Sequence, residues 1–146
     1  MLGLSIEVVW HDADPEDVDL MELRVSADSG PFRGRTRIYA LPHQLASLAE
    51  EFRGFPSSLE DQFHAELGGS SRHNRVLFAA RCFDRTGRSI LTVHIEEGAV
   101  EVKFVGHPQV AEIVFQFEAL AADEFAAALK QIAGKKAGRA HLAGVV

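Results

Sequence analysis

The sequence predicts an α+β domain, with a mostly antiparallel sheet or sandwich of about seven or eight strands and two helices. Two observations carry this. Apolar and polar residues alternate along several short segments separated by turn signals. Two longer segments instead place apolar residues at helical spacing.

The elements follow in order. Leu4 to Trp10 is short, apolar and β-branched, and reads as a strand. His11 to Asp19 is acidic, contains Pro15 and reads as a loop. From Asp19 to Ala27, Met21, Leu23, Val25 and Ala27 alternate with Glu22, Arg24 and Ser26, the period of a half-buried strand. Asp28-Ser29-Gly30-Pro31 is a turn signal. Phe32 to Ala40 alternates again, with Phe32, Thr36 and Ile38 on one face and Arg33, Arg35, Arg37 and Tyr39 on the other. The two segments form a hairpin.

Pro42 opens the first helix, Leu45, Leu48, Ala49 and Phe52 give its stripe, and Gly54 sits where a C′ glycine belongs. Further strands are expected at Gln62 to Leu67, Arg75 to Phe83, Ser89 to Glu96, Val100 to Val105 and Val110 to Glu118. Arg75 to Phe83 is apolar on both faces near its middle, which predicts a central strand. A second helix is expected from Ala122 to Ala133, with Phe125, Ala128, Leu129 and Ile132 as its stripe and Gly134 as its stop. Residues 1–133 are thus one domain, and 134–146 read as a basic, mobile C-terminal tail.

The bulk numbers fit this picture. A chain of 146 residues with 47% apolar content and ten Phe can bury a real core. The net charge is −6. Residues 134–146 hold Lys135, Lys136 and Arg139 and no acids, leaving 12 basic against 21 acidic residues in the body. So acidic a body repels phosphate backbones, and nucleic acid is not expected as the partner; the acidity suits plain solubility or a basic partner protein. One cysteine, Cys82, cannot form an intrachain disulfide. No apolar run approaches the roughly 20 residues that span a bilayer, and residues 1–10 lack a signal-peptide pattern. A cytoplasmic protein without membrane association is the expectation.

Motifs that carry chemistry fail on inspection. An EF-hand loop starting at Asp12 needs Gly and Glu where Asp17 and Leu23 stand. His94 and Glu96 form H-x-E, but the zinc deaminase pattern also needs two further cysteines. Gly68-Gly69-Ser70-Ser71-Arg72 is not a nucleophile elbow, and no His pair has metal-ligand spacing. Cys82 lies in an apolar strand and reads as a core residue. No enzyme activity, cofactor or metal is expected.

Two features suit a binding surface. Arg33, Arg35 and Arg37 share a strand face that Tyr39 continues, and Arg and Tyr are frequent hot-spot residues; the same row also reads as a solvent face whose arginines pair with neighbouring acids such as Glu22. Asp12, Asp14 and Asp17 concentrate negative charge in the acidic loop.

Certain residues resemble a known group. Phe32-x-Gly34 at a strand start is followed by a helix with Leu45, Leu48 and Phe52. Then come Gly87 in a turn, Phe115-x-Phe117, and a closing helix with Phe125 and Leu129. From Asp19 to Ile132 this resembles small bacterial proteins similar to the immunity protein of the WapA cell-wall-associated toxin. The resemblance implies an α+β cytoplasmic protein that binds and blocks a toxin domain by occlusion, so it transfers no catalytic residues. The acidic loop and the basic C-terminal segment have no counterpart in it. The leading expectation is a non-enzymatic protein-binding domain, an immunity protein capping a basic partner. The alternatives are a small-ligand domain or enzyme with a site assembled from separated strands, and a homo-oligomer pairing through a sheet edge.

Overall fold

Turn chemistry and period-two alternation divide this chain into strands, and the apolar face of each strand finds another layer to cover it. The structure is a computed structural model that describes residues 2–14, 19–69, 74–98 and 109–145. Asp17 and the strand expected at Val100 to Val105 lie outside the described residues.

The element order is β1 (Gly3–His11), β2 (Met21–Asp28), β3 (Arg33–Ala40), α1 (Pro42–Phe52), β4 (Gln62–Gly68), β5 (Arg75–Cys82), β6 (Ser89–Glu97), β7 (Gln109–Phe117), α2 (Ala119–Lys135) and β8 (Arg139–Ala143). The fold is α+β. The described strands form two antiparallel four-stranded sheets, ordered β3-β2-β1-β8 and β4-β5-β6-β7.

The inner faces follow the alternation. Leu4 and Ile6 of β1, Leu23 and Val25 of β2, and Ile38 of β3 are buried. So are Val76, Phe78 and Ala80 of β5, Leu91, Val93 and Ile95 of β6, and Ile113, Phe115 and Phe117 of β7. As expected, β5 is an interior strand, but Leu77 and Ala79 on its other face are only half-buried. Phe32 departs from its expected inward position. It precedes β3 in the turn and is 70% exposed.

β3 runs across one end of the second sheet. A Cβ placed on Gly34 would stand 3.0 Å from Ile95 Cδ1 of β6 and 3.6 Å from the Ala111 Cβ of β7, so glycine permits that close approach. Thr36 Oγ1 donates to Glu97 Oε1 at 2.5 Å, and Asn74 Nδ2, just before β5, donates to the Arg37 carbonyl at 3.0 Å. Ile38 lies against Gly68 at the end of β4. The other end is closed by the helices. Phe52 of α1 meets Phe63 of β4 and Phe125 of α2 edge-on, each at 4.9 Å between ring centroids, and Phe117 of β7 at 6.1 Å. Asp123 of α2 accepts the Gly54 N–H at 2.7 Å, which ties the end of α1 to α2.

Two expectations about the C-terminal part are corrected. The second helix extends on both sides of Ala122–Ala133, from Ala119 to Lys135, and Gly134 lies inside it. Lys136, at φ 53°, makes the left-handed cap, and its N–H donates to the Ile132 carbonyl at 2.8 Å. Residues 134–146 are also not simply a tail. Residues 139–143 pair with β1 in full antiparallel register, from Gly3 opposite Ala143 to Glu7 opposite Arg139. Ala140 and Leu142 point into the core and are buried. Apolar burial and five residues of ladder hold the segment in place. Val145 then donates its N–H to the Gln116 carbonyl of β7 at 2.8 Å, linking the two sheets.

Candidate functional site

The outer face of the first sheet holds the strongest concentration of one chemistry. Strand alternation points Arg33, Arg35, Arg37 and Tyr39 of β3 outward, as the sequence predicts. The ladder then sets them beside residues of three other strands. One row is Arg35, Ser26, Ser5 and His141, and the next is Arg37, Arg24, Glu7 and Arg139. Beyond these, Tyr39 and Trp10 flank Glu22, with Tyr39 53% and Trp10 49% exposed. Five of the chain's eleven arginines stand on this one face.

Three of the five have carboxylate partners. Arg24 pairs with Glu7 at 2.8 Å, Arg33 with Asp28 at 2.9 Å and Arg37 with Glu22 at 3.4 Å. The Asp28 carboxyl is held below its ordinary pKa, first by the Gly30 N–H that it accepts at 2.7 Å and further by the charge of Arg33. Arg35 and Arg139 have no carboxylate partner among the described residues. Arg139 Nη2 instead donates to Ser5 Oγ at 3.1 Å. Five arginines against three acids leave this face positive on a chain whose net charge is −6.

Ser5 and Ser26 are short side chains among long ones, so the face dips between them. The depression has a volume of about 560 Å³, and Arg24, Arg33, Arg35, Arg139, Glu7 and Asp28 rise around the two serines. A second hollow of about 340 Å³ lies against Arg24 and Arg35, reaching Thr36, Arg37, Asn74 and Glu97. Ser5 Oγ also shares a hydrogen bond of 2.7 Å with His141 Nδ1. Burial and, next, the charge of Arg139 hold the His141 pKa below its ordinary value.

The acidic feature sits elsewhere. Asp12 and Asp14 follow the end of β1, past the Trp10 and Tyr39 row, at the opposite end of the sheet from Arg33. Asp12 donates its N–H to the Leu20 carbonyl at 2.9 Å, and its Oδ1 accepts the Asp14 N–H at 3.0 Å. The structure therefore groups Arg33, Arg35 and Arg37 in the depressions, places Tyr39 one row along, and sets Asp12 and Asp14 beyond.

Sequence reading missed Ser5, Ser26, Arg24, Arg139 and His141 as parts of the site. Arg24 and Ser26 read simply as the polar positions of their strand. Arg139 and His141 had a signal in the alternation of Arg139-Ala140-His141-Leu142-Ala143, which is strand-like but only five residues long.

Other clusters are weaker. On the outer face of the second sheet, His94 lies 3.2 Å from Glu112 and 3.4 Å from Glu96, which also binds Arg75 at 2.6 Å. Surface contacts of this kind are of modest value. Cys82 is buried, with its Sγ 3.2 Å from the Asp84 carbonyl. Among the described residues no group of three His, Cys, Asp or Glu side chains could hold a metal ion, and no helix is long and apolar enough to cross a membrane. Comparison with protein-family models, with curated proteins and with solved structures finds no match to this chain.

Proposed function

We infer that this chain is a non-enzymatic protein-binding domain that uses the outer face of its first sheet as the contact surface. The observation that supports this is the pair of arginines, Arg35 and Arg139, that stand over the depression without carboxylate partners among the described residues. An exposed guanidinium presents several donors in a rigid fork and suits carboxylate or phosphate groups on a partner. Tyr39 and Trp10 add exposed aromatic area beside it, in the composition typical of interface anchors. The partner surface that fits is acidic at its centre. Asp12 and Asp14, past the aromatic row, meet a basic rim of the same partner. The immunity role implied by the resemblance to WapA-type immunity proteins is one form of this proposal, in which the face caps a toxin domain.

The experiment is affinity capture from the native organism's extract with the wild-type chain and with an Arg35→Glu, Arg37→Glu double variant, at low and high salt. A single stoichiometric partner held by the wild type, released by salt and lost by the variant, is the expected result. Equal capture by both chains would remove this face from the interface.

A further inference from the structure

We propose that the depression between Arg35 and Arg139 is a phosphoryl-group site that receives a phosphorylated side chain of a partner protein. This rests on the reading of the face as the contact surface and adds what that surface contacts.

Glu7 and Asp28 line the depression but are matched by Arg24 and Arg33. Arg35 and Arg139 then contribute two positive charges with no acidic partner among the described residues. A phosphoryl monoester carries about −1.5 to −2 near neutral pH, whereas a carboxylate carries a single charge. Two guanidinium groups without an acidic partner among the described residues therefore match the first more closely than the second.

The geometry agrees. Donors come from three strands, Arg35 on β3, Ser26 on β2 and Arg139 on β8, arranged around one hollow, with Ser5 of β1 between them already engaged by Arg139 and His141. A tetrahedral group with three terminal oxygens can accept from several directions at once, while a planar carboxylate is served by donors lying near one plane. Ser26 supplies a hydroxyl at the floor, and the small size of Ser26 and Ser5 makes the room.

The surroundings favour a peptide as carrier. A volume of about 560 Å³ exceeds what a lone phosphate fills, and the adjoining hollow of about 340 Å³ continues past Arg24 and Arg35 to Asn74. An extended segment can place one phosphorylated side chain in the first hollow and run on along the second. A polynucleotide is disfavoured, because repeated phosphates would meet the negative charge of the rest of the chain, which nets −6.

The test is fluorescence anisotropy with a labelled peptide of about eight residues carrying one central phosphoserine between glycine and alanine flanks. Its unphosphorylated form, inorganic phosphate and a short oligothymidylate are the comparison ligands. The protein is the full chain, as wild type and as Arg35→Ala, Arg139→Ala and Arg81→Ala. Arg81 is an exposed arginine on the other sheet and controls for general charge loss. Expected is binding of the phosphoserine peptide about tenfold or more tighter than its serine form. Arg35→Ala and Arg139→Ala each weaken it by about tenfold or more, and Arg81→Ala leaves it unchanged. All three substitutions are at surface side chains, and retention of the wild-type melting temperature shows that the folded state is intact.

Equal affinity for the serine and phosphoserine peptides would overturn the proposal. So would equal losses from all three substitutions. Inorganic phosphate binding as tightly as the peptide would overturn the peptide as carrier, and preferential binding of oligothymidylate would overturn the protein partner. The two readings fail separately. If the Arg35→Glu, Arg37→Glu variant loses its captured partner while no phosphopeptide binds, the contact surface stands and the phosphoryl site falls.

Discussion

Ser5 Oγ and His141 Nδ1 lie 2.7 Å apart, joined across the β1–β8 ladder although 136 residues separate them in the chain. The contact puts a titratable ring beside Arg139, at the border of the arginine depression. Burial and that neighbouring charge favour the neutral ring in the folded state. The unfolded chain therefore takes up a proton here at higher pH than the folded chain does. The stabilising contribution is complete above about pH 6.5, the ordinary histidine value, and is lost as pH falls through the lower folded-state pKa. Chemical denaturation followed between about pH 7.5 and pH 5 should show stability falling with pH in the wild type. His141→Asn, which keeps a polar side chain near Ser5, should flatten part of that fall. An unchanged slope in the variant would show that this ring does not carry the dependence.

Gly3 marks where β1 accepts β8. Its φ is +126°, and a Cβ placed there would stand 2.0 Å from the Leu142 carbonyl oxygen. That atom belongs to the backbone, so nothing flexible can move aside. Gly3→Ala must both strain the backbone and part the two strands. The expected cost is about 2 to 4 kcal/mol, the range of a forced main-chain rearrangement. Equilibrium urea unfolding measures it. A loss below about 0.5 kcal/mol, the level of an ordinary surface change, would mean that β8 does not sit against β1 at this distance.

Phe52 joins four elements through its ring. It lies edge-on to Phe63 and Phe125 and near Phe117, and it is fully buried. Aromatic pairs in this geometry add to the area they bury. Phe52→Ala should therefore cost about 3 to 5 kcal/mol, while Phe52→Leu, which keeps most of the volume, should cost clearly less. Similar values for the two variants would indicate that ring contacts contribute little beyond filled space.

How much of this was legible in the sequence depended on how local each signal was. The arginine row on β3 could be read directly, because residues two apart on a strand share a face whatever lies behind them. The hairpin of β2 and β3 was equally local, with a turn signal between two alternating runs. What lay across the face was not local. Ser5 and Arg139 become neighbours only because β8 returns to β1 from the other end of the chain. The passage of β3 over the second sheet left a single trace, Gly34 among arginines, and a glycine there does not say what approaches it. The end of α2 was misjudged because Gly134 is a stop only when the chain must turn, and here the turn is made by Lys136.

The reading of residues 134–146 as a tail and the structure of β8 make opposite predictions. A basic, solvated tail can be removed with little effect on stability. In the structure, Ala140 and Leu142 are buried, β8 covers the edge of β1, and Val145 reaches β7. Deleting residues 138–146 would expose that edge and leave part of the inner side of α2 uncovered. Leu142→Ala alone should cost about 2 to 5 kcal/mol by loss of transfer energy and creation of a cavity. The deletion should cost more than the single change, or yield a chain that self-associates through the freed strand edge. Thermal unfolding of the two variants, with light scattering on the deletion, gives the answer. If the deleted chain melts within a few degrees of wild type and stays monodisperse, the core closes without β8. The arginine depression would then lack one wall in a fully folded protein, and peptide binding by that chain would measure what Arg139 adds.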